Sequence, residues 1–174
     1  MMRKIILSLA MSLDSYIIDE NGSYAWITGD GDHSLDTDEK FNFNAFLEKV
    51  DIVVMGRIAY EDAMMELFKD KRVIVATRKD MKDHDNVEFI KDDVIGYIQK
   101  LQQEEGKDIF LYGGSVLVDH FMKADIIDEF IIGIVPMILG NGKPLFFDNN
   151  PSVKLHLDRY TIQEGLSVLE YSRR

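Results

Sequence analysis

Tyr112-Gly113-Gly114-Ser115 stands where an apolar run, Ile109-Phe110-Leu111, gives way to an amphipathic one carrying Val116, Leu117, Phe121 and Met122. Two glycines at the end of a strand let the backbone approach a ligand more closely than any side chain would permit. A helix starting at that point offers unpaired amide hydrogens and the positive end of its dipole, which together hold an anion. The same composition also makes a plain turn, and two further strand ends weigh between the readings. Val53-Val54-Met55-Gly56-Arg57 repeats the order of strand, glycine and helix start with a cation added, and Val75-Ala76-Thr77-Arg78-Lys79 ends a strand in a hydroxyl and two cations. Guanidinium and ammonium groups suit phosphate monoesters and pyrophosphates through charge-assisted hydrogen bonds. Each cation taken singly reads equally as a solvated loop charge. At equivalent strand ends of one acidic chain, they predict a pocket for a phosphate-bearing ligand.

The elements that must position these residues follow from hydrophobic periodicity. Strands are expected at Lys4–Met11, Ile52–Met55, Val73–Thr77, Val87–Phe89, Ile109–Leu111, Glu129–Val135, Lys154–Ile162 and Ser167–Ser172. Helical spacing appears over Asp38–Lys49, Ala59–Phe68, Asp93–Gln103 and Ser115–Lys123. The early strands are continuous apolar runs separated by helices, as buried parallel strands require. The last two alternate polar and apolar residues and meet at Gln163-Glu164-Gly165, a hairpin turn. The expected fold is therefore α/β, with a mostly parallel sheet, helices on both faces and a C-terminal antiparallel hairpin. In such sheets ligands bind beyond the carboxyl ends of the strands.

Composition bounds the function. The 174 residues, 46% of them hydrophobic, suffice for a single domain over 1–174 with a real core. A net charge of −11 argues against a nucleic-acid surface, which needs clustered Lys and Arg, but not against a single nucleotide. The absence of cysteine fits a reducing, cytoplasmic setting. No apolar run approaches the roughly 20 residues that cross a bilayer. Arg3-Lys4 followed by Ile5 to Met11 imitates a short signal peptide, but the run stops at Asp14 without a clean small-x-small site, and a buried first strand is expected.

Other motifs fail on inspection. Gly142-Lys143 is followed by Pro144 and lacks the upstream glycine of a phosphate-binding Walker loop. Gly29-x-Gly31 has no preceding strand and is flanked by aspartates, and the run Asp30, Asp32, Asp36, Asp38 lacks the glycine and spacing of a calcium loop. His33, His84, His120 and His156 are dispersed, so no metal site is expected. Phe41, Phe43, Phe46, Met64, Met65 and Phe68 read as helix core.

Taken in order, Ala10-Met11-Ser12-Leu13-Asp14, Trp26, Met55-Gly56-Arg57-Ile58-Ala59-Tyr60-Glu61, Thr77-Arg78, Tyr112-Gly113-Gly114-Ser115 and Ile134-Val135-Pro136-x-Ile138-Leu139-Gly140-x-Gly142-x-Pro144-Leu145-Phe146 resemble the dihydrofolate-reductase-like superfamily. Within it the chain is most similar to stand-alone relatives of the riboflavin-biosynthesis reductase domain, the C-terminal domain of the bifunctional deaminase-reductase. The resemblance covers nearly the whole chain.

It implies an NADPH-dependent reductase acting on a small heterocycle of pterin or ribosylamino-pyrimidine type. Gly113 and Gly114, with Tyr112, Ser115 and Val116 beside them, would lie against the nicotinamide ribose and pyrophosphate, often with unusual peptide geometry between the glycines. Gly56, Arg57 and Ile58 would open a helix over the phosphates and adenosine, and Thr77, Arg78 and Lys79 would hold the 2′-phosphate. Ala10 would offer backbone groups to the carboxamide. Asp14 to Trp26 would form a mobile loop closing over the nicotinamide, with Asp14 and Trp26 on the substrate side. A homodimer is implied as well.

Two departures stand out. The family usually has Thr after Gly-Arg-x, where this chain has Ala59. The substrate-side carboxylate of dihydrofolate reductases has no unambiguous counterpart. Asp36, Asp38 and Glu39 lie near the start of the first expected helix, and Asp38 is the candidate catalytic acid, although a carboxylate there also complements a helix dipole. The alternative function is a non-catalytic nucleotide-binding or sensory dimer that keeps the reductase fold.

Overall fold

The computed structural model describes residues 2–174. The chain runs β1 (Ile5–Ser12), β2 (Tyr16–Asp19), α1 (Phe43–Glu48), β3 (Val50–Gly56), α2 (Arg57–Asp62), a 3-10 turn (Met65–Phe68), β4 (Arg72–Ala76), β5 (Val87–Ile90) and α3 (Val94–Gln102). It continues through β6 (Asp108–Gly113), α4 (Ser115–Lys123), β7 (Glu129–Val135), β8 (Gly142–Pro144), β9 (Leu155–Gln163) and β10 (Leu166–Arg173). Eight strands form one sheet in the order β5-β4-β3-β6-β1-β7-β10-β9. The six strands from β5 to β7 in this order are parallel through five pairings, and β10 and β9 close the edge antiparallel.

The continuous apolar strands are buried on both sides. Val53, Val54, Val73, Ile74 and Val75 have no exposed surface, because α3 and α4 cover one face through Ile98, Leu101, Val118 and Phe121. The other face is covered over β3, β4 and β6 by Phe46 and Leu47 of α1 and by Phe68. The β9–β10 hairpin turns on two residues, Glu164 and Gly165, at φ of 52° and 76°, the pair of positive angles that a type I′ hairpin requires.

Two expected helices are shorter than their periodicity. The first begins at Phe43, with the Asn42 side chain accepting from the Ala45 amide at 3.0 Å. The residues before it are drawn to the hairpin tip, where the Thr37 amide donates to the Ile162 carbonyl at 3.0 Å and the Asp36 carboxylate accepts from the Glu164 amide at 2.7 Å. The second stops at Ala63, whose extended backbone (ψ 144°) breaks the pattern. The 3-10 turn that follows sends Phe68 into the core against Phe110 and Tyr112. A further two-stranded ribbon of β2 and β8, too short to show a period, was not expected.

Candidate functional site

A cleft of about 1070 Å³ opens at the carboxyl ends of β3, β4 and β6 and continues along the face of β1, β7 and β10 that α1 and α2 leave uncovered. Gly56, Arg57, Ile58, Thr77, Arg78, Lys79, Tyr112, Gly113, Gly114, Ser115, Val116 and Ala10 all line it. Three strand ends distant in sequence, at Gly56, Ala76 and Gly113, are thus walls of one space, because β4, β3 and β6 are adjacent in the sheet.

The Gly113–Gly114 peptide is cis. A Cβ built on either glycine meets no protein atom within 4 Å, so what lies beside them is cleft. Gly114 is the N-cap of α4 and supplies no side-chain cap. The first intrahelical bond runs from the Val118 amide to the Gly114 carbonyl at 3.0 Å, which leaves the amides of Ser115, Val116 and Leu117 for an external acceptor.

The lining carries five cations (Arg57, Arg78, Lys79, Lys91 and Lys143) against two carboxylates (Asp62 and Asp93), in a chain whose acidic residues outnumber its basic ones by 31 to 20. Among the described residues Arg78, Lys79 and Lys143 make no ion pair; Arg57 pairs with Glu61 and Lys91 with Asp80. Such exposed pairs are worth about 0.2–1 kcal/mol, less than the roughly 1.5–3 kcal/mol of a hydrogen bond to a charged group, so an anion can displace them. Thr77 is buried; its hydroxyl accepts from the Lys79 amide at 3.0 Å and shapes the turn that presents Arg78 and Lys79. Ile58 and Val116 leave more than half their surface exposed, two apolar plates beside the cations.

The far half of the cleft is apolar. Ser8, Ala10 and Gly133 make a low floor, in register across β1 and β7 with Ala10 opposite Gly133. Ile131, Leu166, Val168, Phe41 and Phe43 complete it. Phe46 and Phe68 are core, as their spacing predicts, but half-buried Phe41 and Phe43 face the cleft and Met64 is exposed.

The stretch from Asp14 to Trp26 is a built roof. Ile17 and Ile18 of β2 and Lys143 of β8 line the cleft, with Tyr24 and Ile27 beyond them. Asp14 lies off the cleft wall: it accepts from the Ser12 hydroxyl at 2.6 Å and from the Leu139 and Gly140 amides at 3.0 and 2.8 Å. These bonds, the Ser12 hydroxyl first, hold its carboxyl below the usual carboxylate range. Trp26 is also outside the lining, its indole N–H donating to the Ser23 carbonyl at 3.0 Å.

Asp38 is exposed and does not line the cleft. It precedes α1 by five residues and so does not complement that helix. Its neighbour Asp36 is pulled down to about 2, chiefly by His33 and then by the Glu164 amide and Lys40. The cleft residues that sequence reasoning passed over, Tyr24, Asp62, Lys91 and Lys143, carry no local signal: Tyr24 and Lys91 arrive on loops, Asp62 at the end of α2 and Lys143 on β8.

The chain matches the model of the RibD C-terminal domain over residues 3–166. It is 37% identical to the uncharacterized Bacillus subtilis (strain 168) protein YwjB, over 99% of both chains. A second uncharacterized protein of that strain, YyaP, is 32% identical over 97% of this chain and 94% of its own. A provisionally assigned riboflavin biosynthesis protein from Shewanella sp. PV-4 superposes with a TM-score of 0.78 at 29% identity, over 98% of this chain and 99% of its own. The Thermotoga maritima diaminohydroxyphosphoribosylaminopyrimidine deaminase/5-amino-6-(5-phosphoribosylamino)uracil reductase superposes at 0.71 and 18% identity, over 99% of this chain and 57% of its own. The fold is the dihydrofolate-reductase-like one of these reductase domains. On the family match and the full-length relatives together, the chain belongs to the RibD C-terminal domain family.

Proposed function

We propose that the protein is an NADPH-dependent oxidoreductase that reduces a small heterocycle of pterin or 5-amino-6-(5-phosphoribosylamino)uracil type. The observation that carries this reading is the uncapped start of α4 sharing one cleft with Arg57, Arg78 and Lys79. That donor set fits a dinucleotide phosphate. The amides of Ser115 and Val116, with the backbone of Tyr112, Gly113 and Gly114 beside them, would hold the pyrophosphate and ribose. Gly56, Arg57 and Ile58 would cover the phosphates and adenosine, with Ile58 and Val116 as flat apolar contacts. Thr77 would shape the turn from which Arg78 and Lys79 hold the 2′-phosphate, and Ala10 would present its backbone to the carboxamide. Reduced nicotinamide, when bound, supplies the hydride. What the chain supplies is placement and exclusion of water by the β2–β8 roof.

The test is to titrate NADPH and NADH while following Trp26 fluorescence, then to measure loss of reduced-nicotinamide absorbance on adding 5-amino-6-(5-phosphoribosylamino)uracil or a dihydropterin. Tighter NADPH than NADH binding, with substrate-dependent oxidation, is expected. Failure to bind either cofactor would sink the proposal. A non-catalytic nucleotide-binding dimer is the second reading, favoured by the position of Asp38 outside the cleft and by Ala59 in place of Thr. NADPH binding without turnover would select it. We further propose a cytoplasmic homodimer, since edge strand β9 leaves Leu157 and Tyr160 exposed and Phe146 is exposed nearby in sequence. Sedimentation as a monomer at micromolar concentration would remove the dimer.

A further inference from the structure

We infer that the Tyr112 hydroxyl donates the proton of this reduction, to the heteroatom of a C=N or C=O acceptor; the inference rests on the reductase reading above. Tyr112 is the residue before Gly113, so it stands where the amide-rich half of the cleft meets the apolar half. Its ring is fixed edge-on against Phe68 and Phe110, with centroids 5.6 and 5.7 Å away. Among the described residues its hydroxyl has no hydrogen-bond partner, yet no buried side-chain oxygen or nitrogen among them goes unpaired. The oxygen therefore reaches open space, and the space that Tyr112 lines is the cleft. A rigid ring with a free hydroxyl pointing at a ligand space is what a positioned donor requires.

The other lining groups are placed less well for this task. Asp93 is committed to the Gly96 amide at 2.9 Å. Asp62 is exposed at the rim, where it also borders a small annex with Tyr24. His120 belongs to α4, whose start serves the phosphates. Burial, followed by the nearby Tyr24 and Asp62, pushes the Tyr112 phenol up from its ordinary value, so it stays protonated wherever the protein works.

The step balances. A bound reduced nicotinamide would supply the hydride and its two electrons to the acceptor carbon, so that the C=N or C=O π pair would move to the heteroatom. That pair takes the Tyr112 proton as the O–H bond breaks. The phenolate recovers a proton from water at the rim.

Tyr112→Phe removes the hydroxyl and keeps the ring, and its melting temperature should match the wild type. With NADPH and 5-amino-6-(5-phosphoribosylamino)uracil, kcat should fall about 100-fold or more, while KM and the NADPH dissociation constant move by less than threefold. A second readout needs no turnover. In protein labelled with 13C at the tyrosine rings, the resonance missing from Tyr112→Phe should shift when 5,6-diaminouracil is added to the NADP+ complex. Wild-type turnover with Tyr112→Phe within threefold of it, or a Tyr112 resonance unmoved by the probe, overturns the inference alone. A wild type that oxidises NADPH with neither substrate class removes the reductase reading and the inference together.

Discussion

Helices α3 and α4 are each nine residues long, lie on the same face of the sheet and start at the cleft, yet their first turns are opposite in character. Asp93 closes α3 with its own carboxylate on the Gly96 amide. Gly114 closes α4 with nothing. A helix start that carries its own acid is satisfied and repels an anion; one that carries a glycine is an open site. Of these two helix starts at the cleft, only that of α4 is left open to an anion.

The largest effect should come from making α4 resemble α3. Gly114 has extended backbone (φ −72°) and open space around its built Cβ, so Gly114→Asp can cap the helix. NADPH binding should then weaken by on the order of 100-fold, about 3 kcal/mol for lost amide–phosphate bonds, without loss of melting temperature. Calorimetric titration reads the affinity; unchanged binding would show that α4 is not the anion end.

Arg78→Ala addresses the cation side. NADPH should weaken by about 1–3 kcal/mol and NADH hardly at all. Equal weakening of both would mean that Arg78 does not read the 2′-phosphate.

The reverse experiment opens α3. Asp93→Ala should cost about 1 kcal/mol of stability for the lost cap, read by urea unfolding, and leave NADPH affinity undiminished. A loss as large as that of Gly114→Asp would transfer the anion site to α3.

The smallest effect concerns Asp36, another carboxylate spent within the protein. His33 is raised above 6.5 by its bond to Asp36, and Asp36 lies at about 2 against an ordinary 3.8. The Asp36 contribution is therefore complete above pH 3.8 and lost as pH falls through 2. That of protonated His33 is complete below pH 6.5 and lost as pH rises through its elevated value. Asp36→Asn should lower the His33 imidazole titration toward its ordinary value by NMR, with cofactor binding unaltered. A His33 that titrates identically in both proteins would refute the pairing.

The glycine and cation walls of the cleft were legible in the sequence for a physical reason. A strand, a glycine and a helix start are consecutive residues, so Gly56-Arg57 and Gly113-Gly114-Ser115 announce themselves locally. Thr77-Arg78-Lys79 does so by closing an apolar run. The apolar half of the cleft was not legible, because its parts meet only through long-range pairing. Ser8 and Gly133 belong to neighbouring strands, Lys143 arrives on a three-residue strand, and Phe41 and Phe43 share the spacing of core residues. Asp38 falls outside the cleft for a related reason. Helical periodicity from 38 to 49 could not register the competition from the hairpin tip, which takes Asp36, Thr37 and Lys40 through Ile162 and Glu164.

The β2–β8 roof has a consequence for how this cleft can vary. Its register is pinned at Leu13 to Met137, Asp14 to Leu139 and Gly140, Ile18 to Lys143 and Ser15 to Leu145. At Gly142 a Cβ would fall 2.2 Å from the Ile18 carbonyl oxygen, so no larger residue fits that crossing. Adding or deleting one residue between 137 and 141 would slide Lys143 by a strand step of about 3.3 Å and turn its side chain to the opposite face. The length of that short connection, rather than the identity of any residue in it, decides whether an ammonium hangs over the cleft.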